Sequence, residues 1–461
     1  MPIAVNDPND EIADRRKEWK ILDALMGGTP AMRKAGQELL PMWPAEDGAA
    51  YDLRLKTATL FPAYRRTVGV MSGKPFAKPL ALKDADPSIE KWAEDIDMQG
   101  VSLHSFAAEM FEESFNGLAG IMVSYPRVPP GGYRSKGDMP ASVRPYFVRV
   151  KHNQILGWLT DQSSGPAKLV QLRILEQSEK PDGPFGVKCI DQVRVLYPGR
   201  WEVWQQIDNG KWIITDFGTT SLDVVNFVPI YGIRKGFMCG SPPMLDLAYL
   251  NVKHWQSQSD QDTILHVARV PILAMIGADD QSQLTVGGAA AVKLPAGADI
   301  KFVEHTGKAI AAGEAALEAL VQQMIQTGAE LTVKKPGGQR TASQDNNEAE
   351  ANKSDLQRMA ENYEDTLDQA LAMMGRFANI AKPGNVELFS DYGAATMGEA
   401  SATLIKDLHI AGIITGETAI KELQRRGVVS DDVDPDAEFT QAQSEVPALP
   451  AVPTGAQGDI P

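Results

Sequence analysis

Residues 348–380 place the tightest constraint on the fold. Leu356, Met359, Tyr363, Leu367, Leu371, Met374 and Phe377 recur there at alternating steps of three and four. That period draws one apolar stripe down an α-helix. The spacing predicts a helix over 348–380, which would run roughly 50 Å at about 1.5 Å per residue. A helix this long with one apolar face must be covered along its length by a layer of other elements. The chain just before it reads as an ordered series. A helix is expected over 241–268, after Ser241-Pro242-Pro243, since proline at a helix start forfeits no hydrogen bond. A strand follows over 271–277, then a Gly- and Ala-rich stretch over 278–308 with strand-like pieces at 290–294 and 300–304. Next come a helix over 309–327 and a polar segment, 328–346, whose Lys334-Lys335-Pro336-Gly337-Gly338 reads as a loop.

Upstream, helical spacing covers 8–40, with Asp10 as cap and Ile12, Trp19, Leu22, Leu25 and Met26 on one face. Further helical runs are 51–71, closed by Ser72-Gly73-Lys74-Pro75, and 87–118. The texture then changes to alternation. A strand is expected at 120–125 and a mainly antiparallel sheet over 144–235. After the long helix come a short strand at 386–389 and helices near 397–411 and 416–426. Residues 431–461 are acidic and then rich in Pro, Ala, Gly and Gln, a composition expected to stay disordered.

The fold class is therefore α+β. Composition narrows the function. The formal net charge is −15 and the pI about 5.0, so the chain as a whole repels DNA rather than gripping it through phosphate contacts. An acidic protein can still guide DNA that must slide. Cys189 and Cys239 are too few for a disulfide framework. The polar start of the chain predicts no secretory signal, and no apolar run is long enough to predict a membrane span.

The usual signatures of catalysis are missing. His305-Thr306-Gly307-Lys308-Ala309 lacks the upstream glycine and the hydroxyl residue of a nucleotide-binding loop. No HExxH, CxxC or Gly-x-Ser-x-Gly occurs. His254 and His266 share one expected helix but not one face, and Asp279-Asp280 and Asp431-Asp432 read as solvated acids. No catalytic residue, metal site or cofactor is expected, and the chain is not read as an enzyme.

Two features of the 241–328 region bear on function. The first helix contains Gln256-Ser257-Gln258-Ser259-Asp260-Gln261-Asp262, polar on every face. A helix of that kind is either a surface helix or one that meets water on two sides. The second has an apolar stripe of Ile310, Leu317, Leu320, Val321 and Met324, with Glu314 and Glu318 beside it. Like charges four apart repel slightly, which an ordinary solvated face tolerates.

Several short stretches fall in a telling order. They are Tyr51-Asp52-Leu53-Arg54-Leu55, Leu60-Phe61-Pro62-Ala63-Tyr64-Arg65-Arg66-Thr67-Val68 and Met71-Ser72-Gly73-Lys74-Pro75-Phe76. Arg144-Pro145-Tyr146 follows, then the helix from Asn251 leading into a Pro-Ile-Leu strand, then Asp391-Tyr392. Gly412-Ile413-Ile414-Thr415-Gly416-Glu417-Thr418 and Leu423-Gln424-Arg425-Arg426-Gly427-Val428 close the series. In this order, over nearly the whole chain, the sequence resembles the portal proteins of tailed phages.

The resemblance implies a ring of about twelve subunits, each with a wing, a two-helix stem, a clip, a tunnel loop and a helical crown. It implies a wing over 1–240, stem helices over 241–268 and 309–328, and a clip over 269–308. It further implies a tunnel loop over 329–346, a wing helix and strand over 347–395, and crown helices over 396–430. Glu314 and Glu318 would then make a channel wall acidic, and Lys334, Lys335, Gln339 and Arg340 would meet double-stranded DNA in passage. The implied partners are further copies of the chain, the terminase large subunit, a head–tail adaptor and the major capsid protein, with no membrane. The implied location is a capsid vertex of the virion, after assembly in the host cytoplasm. Two rival readings are another head–tail connector or capsid protein, and a DNA-processing enzyme. The missing nucleotide-binding loop counts against an ATP-driven motor, and the lack of a spaced carboxylate cluster against a two-metal nuclease.

Overall fold

The computed structural model describes residues 4–127, 140, 142–163, 165–207, 210–269, 272–276, 299–303, 308–329, 354–390, 405–411, 413–425, 429 and 433–445. The chain divides into two compact units, Met1–Leu388 and Phe389–Pro461.

The first unit opens with helices, and each of the three helical runs expected upstream of the sheets turns out to be two. The 8–40 run is α1 (Asp10–Met26) and α2 (Gly28–Ala35). Gly28 breaks it at φ +71, a conformation that favours glycine. The cap of α1 is Asn9 rather than Asp10, because the Asn9 side chain accepts the Ile12 N–H. The 51–71 run is α3 (Gly48–Thr57) and α4 (Ala63–Gly73), separated at Pro62. The 87–118 run is α5 (Pro87–Ala93) and α6 (Leu103–Glu113). Between them the buried Asp97 carboxylate accepts the N–H groups of Gln99 and Val101 and closes a turn through Gly100 at φ +86. A short strand, β1 (Ala81–Lys83), lies between α4 and α5.

The core sits between these helices and a three-stranded antiparallel sheet. Its centre is β2 (Leu118–Ser124), flanked by β3 (Tyr146–Val150) and β9 (Phe227–Tyr231). The second sheet is an antiparallel meander of β4 (Ile155–Asp161), β5 (Lys168–Asp182), β6 (Gly186–Tyr197), β7 (Arg200–Gln206) and β8 (Trp212–Thr219). The second sheet and the flanking strands β3 and β9 fall within the 144–235 stretch expected to be antiparallel sheet, and β2 is the strand expected separately at 120–125. A hairpin of β10 (Ile233–Gly236) and β11 (Cys239–Ser241) leads out of it. At the junction of α1, α6 and the sheets, buried His152 packs edge-on against Trp19. It is held between Glu113 and Asp23, whose Oδ1 lies 3.1 Å from its Nε2.

Then come α7 (Leu245–Ala268), the antiparallel pair β12 (Ile272–Ile276) and β13 (Asp299–Val303), and α8 (Lys308–Ala329). The strand-like piece at 290–294 lies outside the described residues. The long helix is α9 (Asp355–Ala378). It starts at the head of its apolar stripe rather than at the expected 348, because Ser354 and Gln357 form a reciprocal capping box. It ends on Asn379 in the left-handed region. Its stripe from Leu356 through Met374 is buried on β2 and β9, while Phe377 is half-buried and stacks on Tyr125. Tyr363 donates its hydroxyl to the Ala107 carbonyl at 2.9 Å, tying α9 to α6. The strand expected at 386–389 is β14 (Asn385–Glu387), paired with β1 some 300 residues away in sequence.

In the second unit, a helical turn at 405–410 precedes α10 (Gly416–Arg425) and α11 (Pro435–Glu445). Phe439 of α11 packs on Gly416, where an added Cβ would lie 1.7 Å from the ring. The sequence expectation of a disordered 431–461 is corrected at 435–445. Asp434 caps that helix by accepting the N–H groups of Asp436 and Ala437, and Pro435 takes the first position.

Candidate functional site

The α7–α8 pair is the frame of the candidate site. Gly313 of α8 abuts Gln261 of α7, and Gly328 abuts Leu247, so the helices run antiparallel. The base of α7 is fixed by Asn251, which is fully buried. Its Oδ1 accepts the Tyr64 N–H at 2.9 Å and its Nδ2 donates to the Phe61 carbonyl at 2.9 Å. His254 packs on Phe61, and burial pushes its pKa down, so it stays neutral.

The polar run of α7 is not wet on every face. Ser259 and Gln261 are buried. Gln256 donates to the Leu39 carbonyl and Gln261 to the Ile310 carbonyl, both at 3.0 Å. Asp260 faces Arg54, with 3.9 Å between Oδ1 and Nη1. Gln258 and Asp262 remain on the outside, paired four residues apart at 2.8 Å. Polar residues on adjacent faces thus serve contacts within the chain, because buried helix–helix and helix–loop contacts can be made through amides as well as apolar groups.

Beside α7 lies a cleft of about 790 Å³, walled by α3, the 43–47 loop and the last turns of α7. Arg54 is its fixed point. Its Nε and Nη2 each donate at 2.7 Å to the Glu46 carboxylate, and Nη2 also donates to the Pro41 carbonyl at 2.9 Å. The guanidinium lies 4.2 Å from the centre of the Trp43 ring. The Arg54 hydrogen bonds hold the Glu46 carboxyl below its ordinary range, although loss of water opposes this. Loss of water raises Asp260, and the nearby Arg54 charge offsets part of that. The pair is buried, with the Trp43 ring against the guanidinium, and it pre-forms one wall. Leu53 and Leu265 supply apolar lining, and Ser259 belongs to the wall with its hydroxyl sealed from solvent and without a hydrogen-bond partner among the described residues.

Glu314 and Glu318 lie together on the exposed side of α8, while Leu320 and Met324 are buried on the other. Lys334, Lys335, Gln339 and Arg340 lie outside the described residues. Among the described residues, no group of His, Cys, Asp and Glu side chains has the arrangement of a metal site, and no helix is long and apolar enough to cross a membrane. Sequence reasoning missed the Arg54–Glu46–Trp43 cluster, which has no local period to reveal it. It also missed the full exposure of Phe185, for which a signal exists: an aromatic inside the turn Pro181-Asp182-Gly183-Pro184-Phe185-Gly186 has no core to enter.

Residues 243–378, from the start of α7 through α9, match the family model described as a domain of unknown function, DUF4055. No curated protein matches. Among solved structures, the chain is similar to one from "Neck of empty GTA particle computed with C6 symmetry". That match has 14% identity and a TM-score of 0.40, and covers 80% of this chain and 90% of the other. A chain from "Virion of native gene transfer agent (GTA) particle" matches at 15% identity and a TM-score of 0.38, covering 83% and 94%. TM-scores of this size do not establish a common fold.

Proposed function

We propose that this chain is one subunit of a portal ring, the DNA gate at a capsid vertex of a tailed phage or phage-like particle. The observation that carries the reading is the antiparallel α7–α8 pair with the β12–β13 hairpin between its helices, followed by the long buried α9. That is the order a two-helix stem, a clip and a wing helix require, and it accompanies the sequence resemblance along the chain. Residues 269–308 take the role of clip and 329–346 that of tunnel loop.

In this reading the protein does mechanical work on DNA and no bond chemistry. DNA carries one negative charge per roughly 1.7 Å of duplex axis. Glu314 and Glu318, exposed on α8 and repeated around the ring, keep the duplex from adhering to the wall. Lys334, Lys335 and Arg340, with Gln339 beside them, touch phosphate briefly and resist back-slippage. The proposed partners are further copies in a ring of about twelve, terminase, a head–tail adaptor and the major capsid protein. The proposed location is the virion.

Negative-stain imaging and native mass spectrometry of purified full-length protein test the ring. Rings with a central hole are expected; monomers alone at micromolar concentration and several salt levels would sink the reading. Replacing Lys334, Lys335 and Arg340 together with Ala should leave rings intact and reduce DNA packaging or retention.

A further inference from the structure

β1 and β14 make a two-stranded sheet, so among the described residues one edge of β14 has no strand beside it. Such an edge leaves buried N–H groups in want of acceptors. Val386 and Leu388 are both buried, and α9 serves their N–H groups in place of a strand. The Asp368 carboxylate accepts the Val386 N–H at 2.7 Å, and the Glu364 carboxylate accepts the Leu388 N–H at 2.6 Å. Four helical residues rise about 6 Å and two strand residues span about 6.8 Å, so carboxylates one turn apart on α9 meet alternate N–H groups of β14.

The two acceptors are charged, and their setting disfavours charge. Both are half-buried. Like charges four apart on a helix repel. Glu361 and Asp365 of the same helix and Glu387 of β14 add three more carboxylates, and among the described residues no cation acts on the pair. Lys83 of β1 is paired with Glu387. On the α6 side, His104 accepts the Leu80 N–H through Nδ1 at 3.1 Å, just ahead of β1. Loss of water raises both carboxyls above their ordinary range, the N–H bonds oppose this, and the neighbouring carboxylates add to the rise. A neutral carboxyl keeps a carbonyl oxygen that can accept the same N–H. The two N–H bonds therefore survive protonation, while the repulsion and the cost of half-buried charge do not.

We propose that Glu364 and Asp368 form a proton-operated latch on β14: ionised, they hold its edge loosely, and each proton taken up tightens the hold. β14 is the last element before the second unit, which begins at Phe389. The latch therefore governs how firmly the first unit grips the chain that leads there. A carboxyl raised in the folded state gives stability that is complete below its ordinary pKa of about 4 and is lost as pH rises through its folded value. The latch is accordingly tight in acid and slack at neutral pH.

Hydrogen exchange of the full chain, read by mass spectrometry on peptides covering 385–388, tests the latch. Glu364→Gln with Asp368→Asn removes both charges and keeps both acceptors. At pH 7 this charge-free variant should slow exchange at 385–388 by about twofold or more, the scale of relieving one like-charge pair. Glu364→Ala with Asp368→Ala removes the acceptors and should speed it. In the wild type, exchange corrected for its intrinsic rate should slow between pH 7 and pH 4.5, while the charge-free variant stays level. Protonation of His104 acts on both proteins alike and cancels in that comparison. Unchanged exchange in β2 shows that a variant is folded. Charge-free and wild-type proteins exchanging equally at pH 7 would overturn the latch, since charge would then have no part in it. Faster exchange in the charge-free variant would overturn it too, since the charge itself would then be what holds the strand. Wild-type exchange in the acceptor-free variant would mean that α9 does not hold β14.

Discussion

At the scale of single residues, two buried charges organise the helical part of the first unit. Burial alone would lower the pKa of His152. Its contacts with Asp23 and Glu113 outweigh that and raise it to about 9. A histidine raised in the folded state lends stability that is complete below its ordinary pKa of about 6.5 and is lost as pH rises through about 9. The contribution is on the order of 3 kcal/mol. Urea unfolding of the wild type and of His152→Gln, compared from pH 6 to pH 9.5, should show the difference between them shrinking as pH rises. A difference that stays constant would mean His152 is neutral when folded. Arg54 has a different role, clamping the 41–47 loop onto α3 through one carboxylate and one carbonyl. Arg54→Met should cost about 1.5–3 kcal/mol, the usual scale for hydrogen bonds to a charged group. Arg54→Lys should recover only part of it, since an ammonium cannot make the two parallel bonds. Denaturant titration measures both. Neither cluster was legible in the sequence. Residues 46 and 54, or 23, 113 and 152, share no local period, and only the fold brings them together.

At the scale of elements, close approach decides which substitutions are tolerated. Gly120 lies on the central strand β2, where an added Cβ would sit 2.1 Å from the Phe227 ring and 2.8 Å from the Val228 carbonyl. Gly120→Ala should destabilise by about 1–3 kcal/mol, as overpacking does. Gly313 meets only the end of the Gln261 side chain. Displacing that buried amide loses its hydrogen bond to the Ile310 carbonyl, about 1 kcal/mol, and the roughly 1 kcal/mol that alanine gains over glycine inside a helix offsets it. Gly313→Ala should therefore change stability by less than about 1 kcal/mol. Thermal unfolding of the two variants separates the cases, and a large loss for Gly313→Ala would mean that Gln261 cannot move. The elements themselves were largely legible. The stripe of α9 and the alternation of the strands are local periods that reflect which face is buried. The breaks between α1 and α2, α3 and α4, and α5 and α6 were not read, because apolar spacing continues across them while Gly28, Pro62 and the Asp97 turn redirect the backbone.

At the scale of the whole molecule, the division after Leu388 carries its own expectation. Truncation there removes the second unit and leaves every element of the first, including the β1–β14 pair. Residues 1–388 should unfold cooperatively, with a midpoint close to that of the corresponding transition in the full chain. Calorimetry showing residues 1–388 without a cooperative transition would mean that the first unit needs the second.

From its sequence alone, this protein was committed to an α+β chain with a long amphipathic helix, an antiparallel middle and a helix–hairpin–helix segment ahead of that helix. It was also committed to a net charge of −15, which sets the chain as a whole against adhesion to DNA. These properties follow from residue spacing and composition, which act locally or additively. Tertiary structure decided that α7 spends its polar side chains on contacts within the chain, that Arg54 and Glu46 pre-form a cleft, and that β14 reaches back to β1. It also left residues 175–191 of the β5–β6 hairpin without a third strand. Each of these depends on which distant segments meet, and a charge, an amide or a strand edge is satisfied by whatever the fold places beside it.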